Sequence, residues 1–209
     1  MQNILTEYYP LILTPQQLNE AMDVNNGATM LIKKVLLQKA NTENRNKRVY
    51  PRNVLEREIN KYNSDMVKTR RALGELDHIE TMVVNLKNVS HIITEMWWEG
   101  DEVYGNVEIL DGEEFPAGRI AAGLLRRKIP VGISSRALGS VTEANGISMV
   151  NDDLSLGCFD IVSYESTIGS TINALNEGHS IKNATYDKFD QIIYDIICNN
   201  SGACACKFK

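Results

Sequence analysis

The sequence predicts an α+β protein: a mostly antiparallel sheet or barrel with helices packed outside. Three observations predict it. Residues 89–110 alternate in polarity on both sides of Glu99-Gly100-Asp101-Glu102, the pattern of a hairpin. Further strand-like runs at 30–40, 131–138 and 157–163 are separated by few helical segments, without the regular strand–helix alternation of a parallel sheet. Hydrophobic residues make up 43% of the 209-residue chain, enough for one globular core with extensions.

Taken in order, the first expected element is a short helix. Thr14 is its N-cap, Pro15 suits the first helical position, and Gln17 stands where a capping box requires it. Asn25-Asn26-Gly27 marks a turn. MLIKKVLLQKA, 30–40, reads as a strand, and NTENRNKRVYP, 41–51, as a polar loop. Pro51 opens a helix with Val54, Leu55, Ile59 and Tyr62 at helical spacing, which Asn63-Ser64-Asp65 ends or interrupts. Residues 73–78 form a short apolar–polar segment entering a loop. In the hairpin, Ile92, Thr94, Met96 and Trp98 alternate with Ile93, Glu95 and Trp97. Val103, Val107 and Ile109 then alternate with Tyr104, Asn106 and Glu108. A helix over 116–127 places Ile120, Ala121 and Leu124 on one face, and Pro130 stops it. Beyond the last strand, 167–184 is polar and rich in Gly, Ser and Asn, as a linker is. An amphipathic helix over 186–198 follows, capped by Thr185, with Phe189, Ile192, Ile193, Ile196 and Ile197 as its stripe.

Composition removes several functions. The net charge of -5 argues against a general nucleic-acid surface, and the basic clusters at 45–48, 68–71 and 126–128 are short solvated faces. No apolar run approaches the roughly 20 residues of a membrane helix. The first residues, MQNILTEYYPLIL, lack a basic n-region and carry Glu7, so no signal peptide is expected. Cys158 lies in an apolar segment, while Cys198, Cys204 and Cys206 crowd the tail with no histidine nearby to complete a zinc site. The chain reads as intracellular, with reduced cysteines and no metal.

Walker, GxGxxG and HExxH motifs are absent. VGISSRALGS, 131–140, lacks the second glycine of a nucleophile elbow, which disfavours an α/β-hydrolase. In a strand Ser134 and Arg136 point to one face, where an arginine could balance a developing oxyanion. Among the three histidines, His91 lies inside the hairpin and His179 in the linker, leaving His78 as the candidate base. Asp160 is an acid in the otherwise apolar GCFDIVS, 157–163, and a buried carboxylate needs a partner. The order His78, Ser134, Asp160 would be a further convergent triad. Each residue also has an ordinary reading. Most strand serines are structural, a histidine after a turn is common, and a strand aspartate also pairs with backbone amides or arginine.

Four stretches together carry a resemblance: NRNKRVYP (44–51), ALGELDH (72–78), MWWEGDEVYGNVEIL (96–110) and GISSRALGS (132–140). In order and spacing they resemble the prohead core-protein proteases of T-even phages, grouped with the herpesvirus assemblins, serine proteases built on a β-barrel wrapped by helices. The resemblance implies that His78 is the base and Ser134, not Ser135, the nucleophile. Assemblins use a second histidine as third member, and none stands at the matching strand here. Related phage proteases use an acid, which falls on Asp160. Backbone amides near Ser134, with Ser135 and Arg136 as neighbours, are the oxyanion and substrate candidates.

The resemblance further implies an endopeptidase without a cofactor, acting inside the immature capsid in the host cytoplasm. Its substrates would be prohead scaffold and core proteins, capsid precursors and itself. The alternative is an inactive capsid or scaffold component with the same fold. Direct binding to nucleic acid or membrane is not expected, and the sequence leaves the oligomeric state open, a homo-oligomer included. The division expected is an N-terminal extension at 1–28, a protease domain at 29–166, a linker at 167–184, and a C-terminal helix and tail at 185–209. T-even type enzymes cut after a glutamate with Leu or Ile two residues before it. Leu18-Asn19-Glu20 and Leu175-Asn176-Glu177 fit, making Glu20 and Glu177 self-cleavage candidates. Leu5-Thr6-Glu7 and Leu73-Gly74-Glu75 fit the same string. A basic pocket for glutamate would draw on Arg45, Arg48, Arg71 or Arg136.

Overall fold

The computed structural model describes residues 2–22, 29–78 and 81–163. The elements are β1 (Asn3–Leu11), α1 (Pro15–Met22), β2 (Met30–Lys39), β3 (Arg48–Val49), α2 (Arg52–Tyr62), β4 (Leu73–Glu75), β5 (Val89–Glu99), β6 (Glu102–Ile109), α3 (Pro116–Arg126), β7 (Val131–Gly139), β8 (Val141–Ala144), β9 (Ile147–Val150) and β10 (Ser155–Ser163). They form three sheets, ordered β1-β7-β10, β2-β6-β5-β4 and β3-β9-β8. All pairings are antiparallel except β3 with β9.

A closed barrel does not form among the described residues. The first two sheets instead meet at two seams. At one, Leu76 makes a single parallel bridge to Ile161, and the Asp77 amide donates to the Ile161 carbonyl at 2.8 Å. At the other, the Tyr9 hydroxyl donates to Gln38 Oε1 at 2.6 Å and accepts from the Lys39 amide. Strand β4 has only three residues, too short to continue a ladder across the seam. Between these sheets lies the core, including Ile32, Leu37, Ile93, Val107, Ile133, Phe159 and Ile161. No described helix is long and apolar enough to cross a membrane.

Local chemistry accounts for several elements. Thr14 Oγ1 accepts from the Gln17 amide and Gln17 Oε1 accepts from the Thr14 amide, so the capping box opens α1. Helix α2 buries Val54, Leu55, Ile59 and Tyr62, and a π-helical turn at Asn63–Val67 continues from its end. The hairpin turns at Gly100, and β6 buries every second residue.

Three expectations are corrected. The first element is not a helix but β1, the edge strand paired with β7, so this sheet begins within the segment read as an N-terminal extension. Its buried positions are Leu5, Glu7, Tyr9 and Leu11, and the charge at Glu7 breaks the apolar pattern. Glu7 is accommodated by Arg48 at 3.0 Å and the Tyr50 hydroxyl at 2.9 Å. Burial raises its carboxyl above the ordinary value, opposed by Arg48 and by hydrogen bonds from Tyr50 and Asn46.

The second concerns an element the reading left out, a hairpin, β8–β9, turning at Asn145 and Gly146, both with positive φ. Asn-Gly is the signature of such a turn and was present to be read. Third, α3 buries Ala117, Gly118, Ala121, Ala122 and Leu125, while Ile120 is 56% exposed. Small residues face inward because Gly118 lies directly against the Leu110 carbonyl. The turn at 25–27, the linker, the C-terminal helix, His179 and the tail cysteines lie outside the described residues.

Candidate active site

Strand β7 is flanked on both sides, by β1 and β10, so its backbone is held along its length. Ser134 stands in its middle. Asp160 on β10 is its direct cross-strand neighbour, and opposed residues share a face. His78 comes from the other sheet. The seam at Leu76 and Asp77 brings it beside β10, and Asp77, at φ 65°, turns the chain there. Aspartate tolerates this left-handed conformation better than most residues.

The three side chains meet in line. His78 Nε2 lies 2.7 Å from Ser134 Oγ, and His78 Nδ1 lies 2.8 Å from Asp160 Oδ2. Asp160 and Ser134 are buried, whereas the His78 side chain is 27% exposed. An ionised Asp160 accepts from Nδ1–H, which leaves Nε2 free to accept the serine proton. Burial alone would raise the Asp160 carboxyl. Hydrogen bonds from His78 and the Glu75 amide, with the Arg136 charge, more than offset this and hold it below the usual range. The arrangement has the nucleophile–base–acid geometry that supports acyl transfer.

Ser135 and Arg136 stand differently from their assignment as oxyanion and substrate candidates. Ser135 is buried on the other face of β7 and accepts from Gln38 Nε2 at 3.1 Å, between the sheets. Arg136 shares the Ser134 face but is fully buried, its guanidinium against Glu75, Asp160 and Cys158. The sequence reading gave neither Glu75 nor Cys158 a place beside Arg136 or Asp160. A signal existed for Glu75, since an arginine inside an apolar strand requires a carboxylate. Burial and then the Asp160 charge push the Cys158 thiol up to about 12, so it stays protonated. His91, also fully buried, receives or donates a hydrogen bond with the Ser90 hydroxyl, and burial lowers it to about 4. It is a neutral core residue. Among the described residues no cluster suits a metal ion.

The other arginines differ in what they face. Arg48 pairs with Glu7, and Arg71 donates to the Asp65 carbonyl and Thr69 hydroxyl. Arg45 is exposed, its guanidinium 5.4 Å from the centre of the Tyr8 ring. Tyr8 is the cross-strand partner of Ser134 on the β1 side and lies against Gly132. Of the self-cleavage candidates, Glu20 lies within α1 and is followed by buried Ala21, and Glu177 is outside the described residues. Glu7 and Glu75 are both buried in strands.

Comparison with known proteins agrees with this architecture. The chain is 37% identical over 139 residues to the prohead core protein protease of Enterobacteria phage T4, a match covering 66% of this chain and 65% of that protein's length. The solved structure of the bacteriophage T4 capsid assembly protease superposes with a TM-score of 0.66 at 29% identity, over 78% of this chain and 99% of that one. A sequence model of the prohead core protein serine proteases matches residues 4–175. That match takes in all but the first residue of β1, the elements through β10 and the stretches holding His78, Ser134 and Asp160, and the chain belongs to the prohead core protein serine protease family.

Proposed function

We propose that the chain is a serine endopeptidase of phage prohead maturation, with Ser134 as nucleophile, His78 as general base and Asp160 as the orienting acid. The observation that carries this is the unbroken contact line from Ser134 Oγ through the His78 ring to Asp160 Oδ2. As Ser134 Oγ attacks the scissile carbonyl, its proton passes to His78 Nε2. Asp160 stabilises the imidazolium, which then protonates the leaving amine. Water, deprotonated by His78, hydrolyses the acyl-enzyme and regenerates Ser134. The Ser135 and Arg136 side chains are engaged elsewhere and the β7 amides are paired with β1 and β10, so the donors that meet the oxyanion come from outside β7. The substrates are scaffold and core proteins and capsid precursors, cut inside the prohead in the host cytoplasm. Hydrolysis of a Leu-x-Glu peptide, lost in both Ser134→Ala and His78→Ala, supports the reading. Undiminished hydrolysis in either variant overturns it.

Glutamate recognition falls to Arg45, the exposed guanidinium on the Ser134 side of β1. Arg45→Ala should lower kcat/KM for a glutamate substrate by about 10- to 100-fold, the worth of one charge-assisted hydrogen bond. The same peptide with glutamine in place of glutamate should be affected far less. Equal losses on both peptides would remove Arg45 from recognition.

Self-processing follows the same string. Cleavage after Glu20 requires α1 to unwind first, because a protease needs an extended segment and Ala21 is buried. The sequence reads 167–184 as a linker, so cleavage after Glu177 is expected first. Intact-mass analysis should show a product ending at residue 177 from the parent chain and full-length mass from Ser134→Ala. Full-length mass in both counts against self-processing.

A further inference from the structure

We propose that Arg136 and Glu75 form a positioning pair, in which one buried guanidinium clamps Asp160 to both ends of the loop that carries His78. The proposal rests on the triad reading above.

Arg136 is the largest fully buried side chain among the described residues. Burying a guanidinium is unfavourable unless its hydrogen bonds are met, and an apolar side chain of similar volume fills such a space at less expense. Its contacts show what it holds. Nη2 donates to Glu75 Oε1 at 2.9 Å, and Nε lies 3.1 Å from Asp160 Oδ2. Nη1 donates to the Thr81 carbonyl. Glu75 and Thr81 stand three residues before and three after His78. One side chain thus spans the base of that loop. Glu75 extends the hold, since its Oε1 also accepts from the Asn85 amide at 3.0 Å and its own amide donates to Asp160 Oδ1 at 2.9 Å.

The charges also balance toward the triad. Facing Asp160 are Arg136 from β7, Cys158 from β10, Glu75 from β4, His91 from β5 and Tyr62 from α2. Cys158, His91 and Tyr62 stay neutral near neutral pH, because burial disfavours the charged form of each. Two carboxylates then share one guanidinium, which leaves a single negative charge to meet the imidazolium that forms during catalysis. Losing Arg136 would strengthen that negative charge. Losing Glu75 would cancel it.

The test is kcat/KM against pH for Arg136→Gln, Glu75→Gln and Arg136→Lys beside the parent, with Ser134→Ala and His78→Ala run alongside. All three pair variants should lose about 10- to 1000-fold, mainly in kcat, as misplacement of a reacting group does. The acid limb should move to higher pH in Arg136→Gln, where a positive charge is gone and the imidazolium is favoured. It should move to lower pH in Glu75→Gln, each by on the order of half a pH unit or more. Arg136→Lys keeps the charge without the fork, so its limb should stay in place while kcat falls. A merely structural role would not shift the two limbs in opposite directions. Limbs that stay put, or move the same way, overturn the clamp, as do losses confined to KM. Should Arg136→Gln not fold, the near-isosteric Glu75→Gln decides by its own limb, moved down or not. Turnover surviving in Ser134→Ala or His78→Ala would instead overturn the triad reading. Loss there with unmoved limbs overturns the clamp alone.

Discussion

Asp160→Asn is expected to lower kcat by roughly 10,000-fold with little change in KM, the size seen when a triad acid becomes an amide. Asparagine keeps the shape but presents an N–H₂ group or a neutral oxygen to His78 Nδ1. The imidazole then loses the partner that keeps its proton on Nδ1, and Nε2 no longer reliably accepts from Ser134. The imidazolium also loses its counter-charge. Because Asp160 sits fully buried against Arg136, the amide additionally weakens that contact, so the variant should be less stable as well. Ser134→Ala removes the proposed nucleophile and should cost roughly a million-fold in kcat. Stopped assays on a Leu-x-Glu peptide at matched enzyme concentration measure both. Activity of Asp160→Asn within a few-fold of the parent would mean that another group orients His78.

The second large effect is structural. Gly74→Ala should destabilise the fold by about 3 kcal/mol, the upper range of overpacking. A Cβ at this position would lie 2.0 Å from the Phe159 carbonyl oxygen and 2.3 Å from His91 Cε1. The carbonyl belongs to the backbone of β10 and cannot rotate aside, so β4 must back away from β10. Glu75 and the segment leading to His78 move with it, which opens the seam that brings His78 to Ser134. Thermal unfolding should shift down by roughly 6–12 °C for a chain of this size, and activity should fall at temperatures where the variant is still folded. Gly123→Ala is the control. In α3 its nearest neighbour would be the end of the Arg127 side chain at 3.6 Å, and alanine there should be neutral or stabilising by about 0.5–1 kcal/mol. Equal melting temperatures for Gly74→Ala and the parent would show that the seam tolerates separation.

How much of this is legible before folding depends on how far apart the interacting residues stand. The capping box of α1, the apolar stripe of α2 and the hairpin of β5 and β6 involve neighbours within a few residues, and their patterns can be read directly. The same holds for Ser134 and Arg136, whose shared face follows from the two-residue period of a strand. The four motifs that place the chain among the prohead core protein serine proteases are likewise linear features. Strand β1 is different. Its buried Glu7 looks like a break in the pattern until Arg48 and Tyr50 arrive from another part of the chain. The expected barrel also depends on distant partners, and it stops at two seams because β4 is short and meets β10 through one bridge.

The candidate site divides the same way. Residue type and position sufficed to nominate His78, Ser134 and Asp160: His78 is the one histidine left once the hairpin and linker histidines are set aside, and a serine and an acid in apolar strands each need a partner. Their convergence needed three strands from two sheets to meet, and so did the reassignment of Arg136. Its charge has no visible purpose along β7; Glu75 and Asp160 supply one from the neighbouring strands at hydrogen-bond distance. Burial makes such pairing compulsory, and burial is a property of the packed molecule rather than of any stretch of chain.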